Sequence, residues 1–224
     1  MAGKRIVLEM EDAVRWYLVG VIASDGCLSK DGRHIDITAK DPLYLESLKK
    51  AAGLLSKVGA KYSGIGNRYF HLQIANVGFY EFLLARGILP RKSLTQKEID
   101  VPDKYFSDFC RGIIDGDGNI RKWTHPSNKR EQWVLRIYSS SRCFIDWIQG
   151  RIEQIFGAKG RVHPRRDPQK NAAFVLKYGK MAARKVLKSC YYPDALAMVR
   201  KALLAQECCA APTGWTKSKT VLLN

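Results

Sequence analysis

The sequence predicts an α+β fold built from two pseudo-symmetric αββαββα repeats. Two observations carry this. A short apolar segment ending in Asp-Gly occurs twice, 92 residues apart, at Asp25 and Asp117. Each copy is then followed by the same succession of alternating and helical patterns, which places internal duplication ahead of any other fold assignment.

The first copy opens with an apolar helix ending at Asp25-Gly26. Asp31-Gly32 then reads as a hairpin turn, and Ile35 and Ile37 alternate with Asp36 and Thr38. Asp41-Pro42 has the form of an N-cap and first helical residue, and Gly53 closes that helix. A second hairpin turns near Gly66-Asn67, with Phe70, Leu72 and Ile74 alternating with His71 and Gln73. A helix over about 76–86 stops at Gly87.

The second copy keeps this order. A long polar loop at 124–131 replaces the tight first turn, and Trp133, Leu135 and Ile137 alternate in the strand after it. A helix is expected from Arg142 to Phe156, ended by Gly157, then a basic hairpin to Tyr178 and a helix from about Lys180. A final helix near Asp194 to Cys208 is an addition. We divide the chain into a first repeat (1–88), a linker (89–104) carrying Pro90 and Pro102, a second repeat (105–208) and a tail (209–224).

The formal net charge of +17 points to a polyanionic partner. Residues 1–100 hold 15 Lys and Arg against 11 Asp and Glu, a net of +4, whereas residues 101–224 hold 23 against 10, a net of +13. These charges are spread among apolar residues, which favours a structured basic surface over a disordered arm. The six cysteines show no zinc-type spacing. We read them as free thiols, mostly small buried apolar residues. No secretory signal and no apolar run of membrane-spanning length is evident. We expect a protein of the cytosol or an organelle matrix, with no membrane partner.

Both short helices end in Asp-Gly. Gly20 and Ser24 lie four residues apart, as do Gly112 and Gly116, and small residues on one helix face permit close helix–helix approach. Packed together, the helices would bring Asp25 and Asp117 side by side. Adjacent carboxylates are costly unless a cation lies between them, and oxygen donors suit Mg²⁺. Carboxylates, a divalent metal and a basic surface are the parts needed for phosphodiester hydrolysis. The run Asp115-Gly-Asp117-Gly-Asn119 also suggests a calcium loop. That reading fails, because Ile120 stands where glycine is required and Pro126 where a bidentate Glu belongs.

At these residues the sequence resembles the LAGLIDADG homing endonucleases of the single-chain, two-motif type. Leu18-Val-Gly-Val-Ile-Ala-Ser-Asp-Gly26 matches the nine-residue motif with Ala23 in place of its first aspartate, and Cys110-Arg-Gly-Ile-Ile-Asp-Gly-Asp-Gly118 keeps both. The run Gly87-Ile-Leu-Pro-Arg-Lys-Ser-Leu-Thr95 is similar to the family's approach to its second motif, and the resemblance covers about 12–207. It implies a monomeric, pseudo-two-fold enzyme with a saddle of antiparallel sheets and the motif helices at the inter-repeat interface. It further implies cleavage of both strands of double-stranded DNA across the minor groove, leaving 3′ overhangs. Asp25 and Asp117 would bind metal, with the backbone carbonyls of Ser24 and Gly116. Mg²⁺ is the expected cofactor, with Mn²⁺ as an alternative and Ca²⁺ as a non-catalytic substitute. Aligning the strands pairs Gln73 with Lys177 as polar residues that support catalysis, and Lys40 is a further basic candidate.

DNA reading would fall to the strands and hairpins, since a two-stranded ribbon fits the major groove. In the first half the candidates are Lys30, Arg33, His34, Asp36, Thr38, Arg68, Tyr69 and His71. In the second they are Arg121, Trp123, Lys129, Arg130, Gln132, Arg136, Tyr138, Arg161, His163, Arg165, Arg166 and Lys170. The competing reading is a binder on the same fold, either a DNA-binding regulator or an RNA maturase with host intron RNA as partner. Retention of both Asp25 and Asp117 favours the nuclease. An intein lacks its cysteine and penultimate histidine here, and a zinc-based HNH nuclease lacks its histidines.

Overall fold

In the computed structural model, residues 9–62, 64, 66–165 and 173–212 are described. The first repeat runs α1 (Asp12–Asp25), β1 (Gly26–Leu28), β2 (His34–Ala39), α2 (Pro42–Ala51), β3 (Val58–Tyr62), β4 (Arg68–Ala75) and α3 (Val77–Ala85). The second runs α4 (Phe106–Asp117), β5 (Gly118–Thr124), β6 (Glu131–Ser139), α5 (Arg142–Phe156), β7 (Arg161–Arg165), β8 (Ala173–Gly179) and α6 (Lys180–Cys190), followed by α7 (Val199–Ala210). The αββαββα plan is thus present twice, and each repeat makes one antiparallel sheet, in the orders β1-β2-β4-β3 and β5-β6-β8-β7.

Local chemistry fixes the element ends. The Asp41 side chain accepts from Leu43 N–H at 3.0 Å, Asn76 from Phe79 N–H at 2.7 Å and Ser141 from Phe144 N–H at 3.3 Å, so α2, α3 and α5 each begin on a side-chain cap. Gly157 ends α5 in the left-handed region at φ 60°, which glycine adopts without a steric penalty. Asp31 holds the first hairpin by accepting from the N–H groups of Arg33 and His34, each at 3.1 Å.

Helices α1 and α4 form the centre. Every residue from 16 to 23 in α1 is buried, the pattern of a helix enclosed on all sides. The two helices cross at Gly20 and Gly112: a Cβ on Gly20 would lie 2.2 Å from the Phe109 carbonyl oxygen. No larger residue fits without moving a backbone. Each sheet turns one face to this core, through Ile35, Ile37, Leu72 and Ile74 in the first repeat and Leu135, Ile137, Leu176 and Tyr178 in the second. The alternate residues of each strand line the opposite, open face.

Two expectations need correction, the start of the last helix and the burial of the cysteines, and the linker gains detail. The last helix starts at Val199 rather than near Asp194. The preceding backbone is spent on buried side chains of α4: Leu196 O accepts from Arg111 Nε at 2.8 Å, and Met198 N–H donates to Asp115 at 2.7 Å. Residues 89–104 are more than a tether, because Lys92, Gln96, Ile99 and Val101 are buried and Asp103–Tyr105 form a short 3-10 turn. Of the cysteines, Cys110, Cys190 and Cys208 are buried, but Cys27 and Cys143 are exposed. Among the described residues, no helix is long and apolar enough to cross a membrane.

Candidate metal centre and nucleic-acid interface

Asp25 and Asp117 are the last residues of α1 and α4. The close crossing at Gly20 and Gly112 brings these two ends together. A Cβ on Gly116 would lie 2.0 Å from Ser24 Oγ and 3.2 Å from Asp25 Oδ2, so α4 meets the other helix's carboxylate directly. Solvent reaches both acids, yet each is flanked by enough protein to raise its pKa. Burial pushes Asp117 up to about 6, helped by the neighbouring Asp25 charge, and burial raises Asp25 as well. Both also stand at helix C-termini, the negative ends of the macrodipoles. Four features therefore disfavour two anions here: desolvation, mutual repulsion and two helix dipoles.

Two buried lysines answer part of this. Lys92, from the segment between the repeats, donates through Nζ to the Gly26 carbonyl at the end of α1. Lys201, from α7, donates to Ile114 O at 2.7 Å and Asp115 O at 2.6 Å at the end of α4. Each ammonium caps a helix C-terminus, and both attract the Asp25 and Asp117 charges. Burial lowers the Lys92 pKa and pushes Lys201 down to about 8. Sequence reasoning missed both. Lys92 stands in the run quoted for the family resemblance, which was its one signal. Lys201 carries none, because its burial depends on how α7 docks.

That docking rests on polar groups inside α4. Asp115 accepts from Tyr17 OH at 2.6 Å, Tyr191 OH at 2.7 Å and Met198 N–H. Tyr17 has one proton to give, so Tyr44 OH, 3.0 Å away, donates to it. Arg111 is 1% exposed and donates to Asp108 at 2.8 Å, Cys190 O at 2.7 Å and Leu196 O. The segment leading into α7 is thereby fastened to α4, and Lys201 is delivered to the paired helix ends.

A cavity beside Asp117 is lined by Ser24, Lys92, Gln96, Tyr138, Ser140 and Arg165, among others. Lys92 and Arg165 bring two cations to a wall that also carries Ala23, Phe144 and Ala173, and those cations suit a phosphate oxygen. Among the described residues no group of three or more His, Cys, Asp or Glu gathers anywhere. The donor set is two carboxylates and nearby carbonyls. That set fits a hard cation that keeps water and phosphate in its remaining positions, such as Mg²⁺, and does not fit zinc. The Gly116 carbonyl also lies 3.4 Å from Lys201 Nζ, so that ammonium stands beside it.

The I-WcaI homing endonuclease bound to its DNA recognition sequence superposes with a TM-score of 0.59 over 84% of this chain and 86% of its own, at 12% identity. The LAGLIDADG homing endonuclease I-GzeII in complex with DNA target gives 0.59 over 89% of each chain at 10% identity. The chain has the LAGLIDADG fold. The N-terminal LAGLIDADG domain of DUF199/WhiA gives 0.55 over 88% of this chain and 90% of its own, at 16% identity. The sequence matches no protein-family model and no curated protein.

On this LAGLIDADG frame the residues expected to read DNA divide by strand face. Asp36, Thr38, Tyr69, His71 and Gln73 share the open face of the first sheet with His34. Asp36 is a hub there, accepting from Thr38 at 3.0 Å and paired with His71 at 3.0 Å and Lys61 at 3.4 Å. Arg68, exposed at the start of β4, has the parity of Phe70 and Leu72, and its guanidinium lies 5.0 Å from the Phe70 ring centre. Lys30 and Arg33 flank the first turn and are exposed. Arg121, Trp123, Gln132, Arg136, Tyr138, Arg161, His163 and Arg165 lie on the open face of the second sheet. Lys129 and Arg130 belong to the loop between β5 and β6. Arg166 and Lys170 lie outside the described residues.

The pairing of Gln73 with Lys177 holds in the register, since Gln73 faces Asp36 and Lys177 faces Arg136 at corresponding positions. Their rows begin at Cys27 and Asn119, two residues after Asp25 and Asp117, but the lining of the Asp117 cavity includes neither. Lys40 Nζ is 5.8 Å from the Tyr69 ring centre. The lysines at the carboxylates are Lys92 and Lys201.

Proposed function

We propose that the chain is a site-specific endonuclease of double-stranded DNA that depends on a divalent metal and works as a monomer. The observation that carries this reading is the carboxylate pair: two acids at two helix ends, raised in pKa, beside a cationic cavity. An arrangement so unfavourable to its own charges gains stability from a cation.

Asp25 and Asp117 would hold Mg²⁺, assisted by the carbonyls of Ser24 and Gly116. Once bound, the metal would polarise the scissile phosphate and make water a better nucleophile near neutral pH. Lys92 and Arg165, which line the cavity, would provide positive charge around the phosphate, Lys201 offsets the carboxylate charges from the α4 side, and the two open sheet faces would select the sequence. Two helix ends from two repeats address two strands, which supports a double-strand cut, and the resemblance to the LAGLIDADG homing endonucleases implies that it leaves 3′ overhangs. The single chain, with unlike halves, supports an asymmetric site of roughly two helical turns.

Incubating the protein with DNA of its host locus, with and without Mg²⁺, tests the reading. Metal-dependent cleavage at one site, with 3′ overhangs on both strands, is expected. Specific binding without cleavage under any divalent metal would instead make the chain a DNA-binding protein on the same fold.

A further inference from the structure

Asn119, Arg136, Lys177 and Arg161 form one row across the second sheet: Asn119 pairs with Arg136, Arg136 with Lys177 and Lys177 with Arg161. Three cations therefore stand as direct cross-strand neighbours. Like charges placed opposite one another destabilise a sheet. None of the three has a hydrogen bond or ion pair to another described residue. Arg136 and Lys177 belong to the inner strands β6 and β8, and with His163, Tyr138 and Arg165 they line an open groove. The corresponding row of the first sheet is Cys27, Asp36 and Gln73, where the one charge is already met by His71 and Lys61.

We infer that the Arg136–Lys177 pair reads guanine in the half-site bound by the second sheet. This rests on the proposed function, because it requires sequence-specific DNA. In the major groove guanine presents two acceptors, N7 and O6, and no donor. Adenine adds an amino group that repels a cation, cytosine offers only a donor, and thymine offers a single acceptor beside a methyl group. A row of donors without acceptors therefore matches guanine best. Placement on the inner strands, away from the edges of the sheet, also suits base edges better than backbone phosphates. The first sheet has no such row, so the preference is one-sided.

Selection of bound duplexes from a randomised library tests this, using the full chain in Ca²⁺, with wild type, Arg136→Gln and Lys177→Gln compared. Wild type should enrich guanine at one or two adjacent positions in one half-site only. Each variant should lose about tenfold to a hundredfold discrimination there and keep its preferences elsewhere. Arg136→Gln should turn toward adenine. Absence of guanine from that half-site would overturn the inference. So would variants that weaken every sequence equally and flatten the salt dependence, because that marks binding to phosphate. If no sequence is enriched at all, site-specific DNA recognition itself fails, and this inference fails with it.

Discussion

Gly20 and Gly112 face each other across the crossing of α1 and α4, with a Cβ on Gly112 falling 2.9 Å from Gly20 Cα and 2.3 Å from the Tyr17 carbonyl oxygen. Backbone meets backbone here, so no side chain can swing away to make room. Gly112→Ala should therefore cost about 1–3 kcal/mol or more, as overpacked cores do. A drop in Tm of about 2–4 °C per kcal/mol is the expected readout. Because the crossing sets how closely the helix ends approach, cleavage should fall further than stability alone explains. A variant as stable and active as wild type would show that the helices separate at no cost.

Asp25→Asn and Asp117→Asn should each abolish cleavage of both strands and leave DNA binding intact. Each removes one ligand of a two-carboxylate donor set and spares the basic sheets. Gel-shift and cleavage assays on one target separate the two effects. Near-normal cutting by either variant would sink the metal assignment.

The same pair gives a pH dependence with a definite sign. The folded-state pKa of Asp117, about 6, lies above its ordinary value. Ionising it therefore opposes folding, and the cost is present above about pH 6 and disappears as the pH falls toward the unfolded value. Metal-free protein should gain stability from this group on acidification through that window. Divalent metal should raise Tm at higher pH, and its effect should fade as protons displace it below about 6. Thermal melts in EDTA and in Ca²⁺ across this range check both trends.

Arg111→Ala should leave the buried Asp108 without its cation, although the Tyr192 hydroxyl still donates to it, and strip the Arg111 donors from Cys190 O and Leu196 O. Loss of one member of a buried ion pair costs about 3–5 kcal/mol. The segment entering α7 should loosen first, which hydrogen exchange around residues 196–201 would report. Displacement of Lys201 should lower cleavage even where the protein stays folded.

Neutralising Arg161 and Arg165 together should flatten the slope of log affinity against log salt by about one unit for each phosphate that is no longer neutralised. An unchanged slope would place the β7 edge away from DNA.

The repeat and its carboxylates were legible because they depend on local pattern. Asp-Gly recurs at a fixed offset, Asp41-Pro42 and Gly157 punctuate helices, and Ile35 and Ile37 alternate with polar residues. What escaped depends on tertiary placement. Lys92 and Lys201 cap helices distant in sequence, and no periodicity marks a lysine that will be buried by another element. The start of α7 was misplaced because its backbone donors and acceptors answer to Asp115 and Arg111, residues some eighty positions earlier. Arg68 and Tyr69 are neighbours on β4, and because strand parity reverses with each residue they leave the sheet on opposite sides.

Asp115 occupies the place that Ala23 holds in the first repeat, and only Asp115 gathers Tyr17, Tyr191 and the Met198 amide. The halves have thus ceased to be interchangeable parts. A protein engineer who fused two copies of the first repeat would have no acid to anchor the strap before α7. Two copies of the second would lose Tyr17, the hydroxyl that the first repeat supplies to Asp115. The two repeats are thus related as a lock and a key, and new specificities are better sought by changing the sheets than by exchanging the halves.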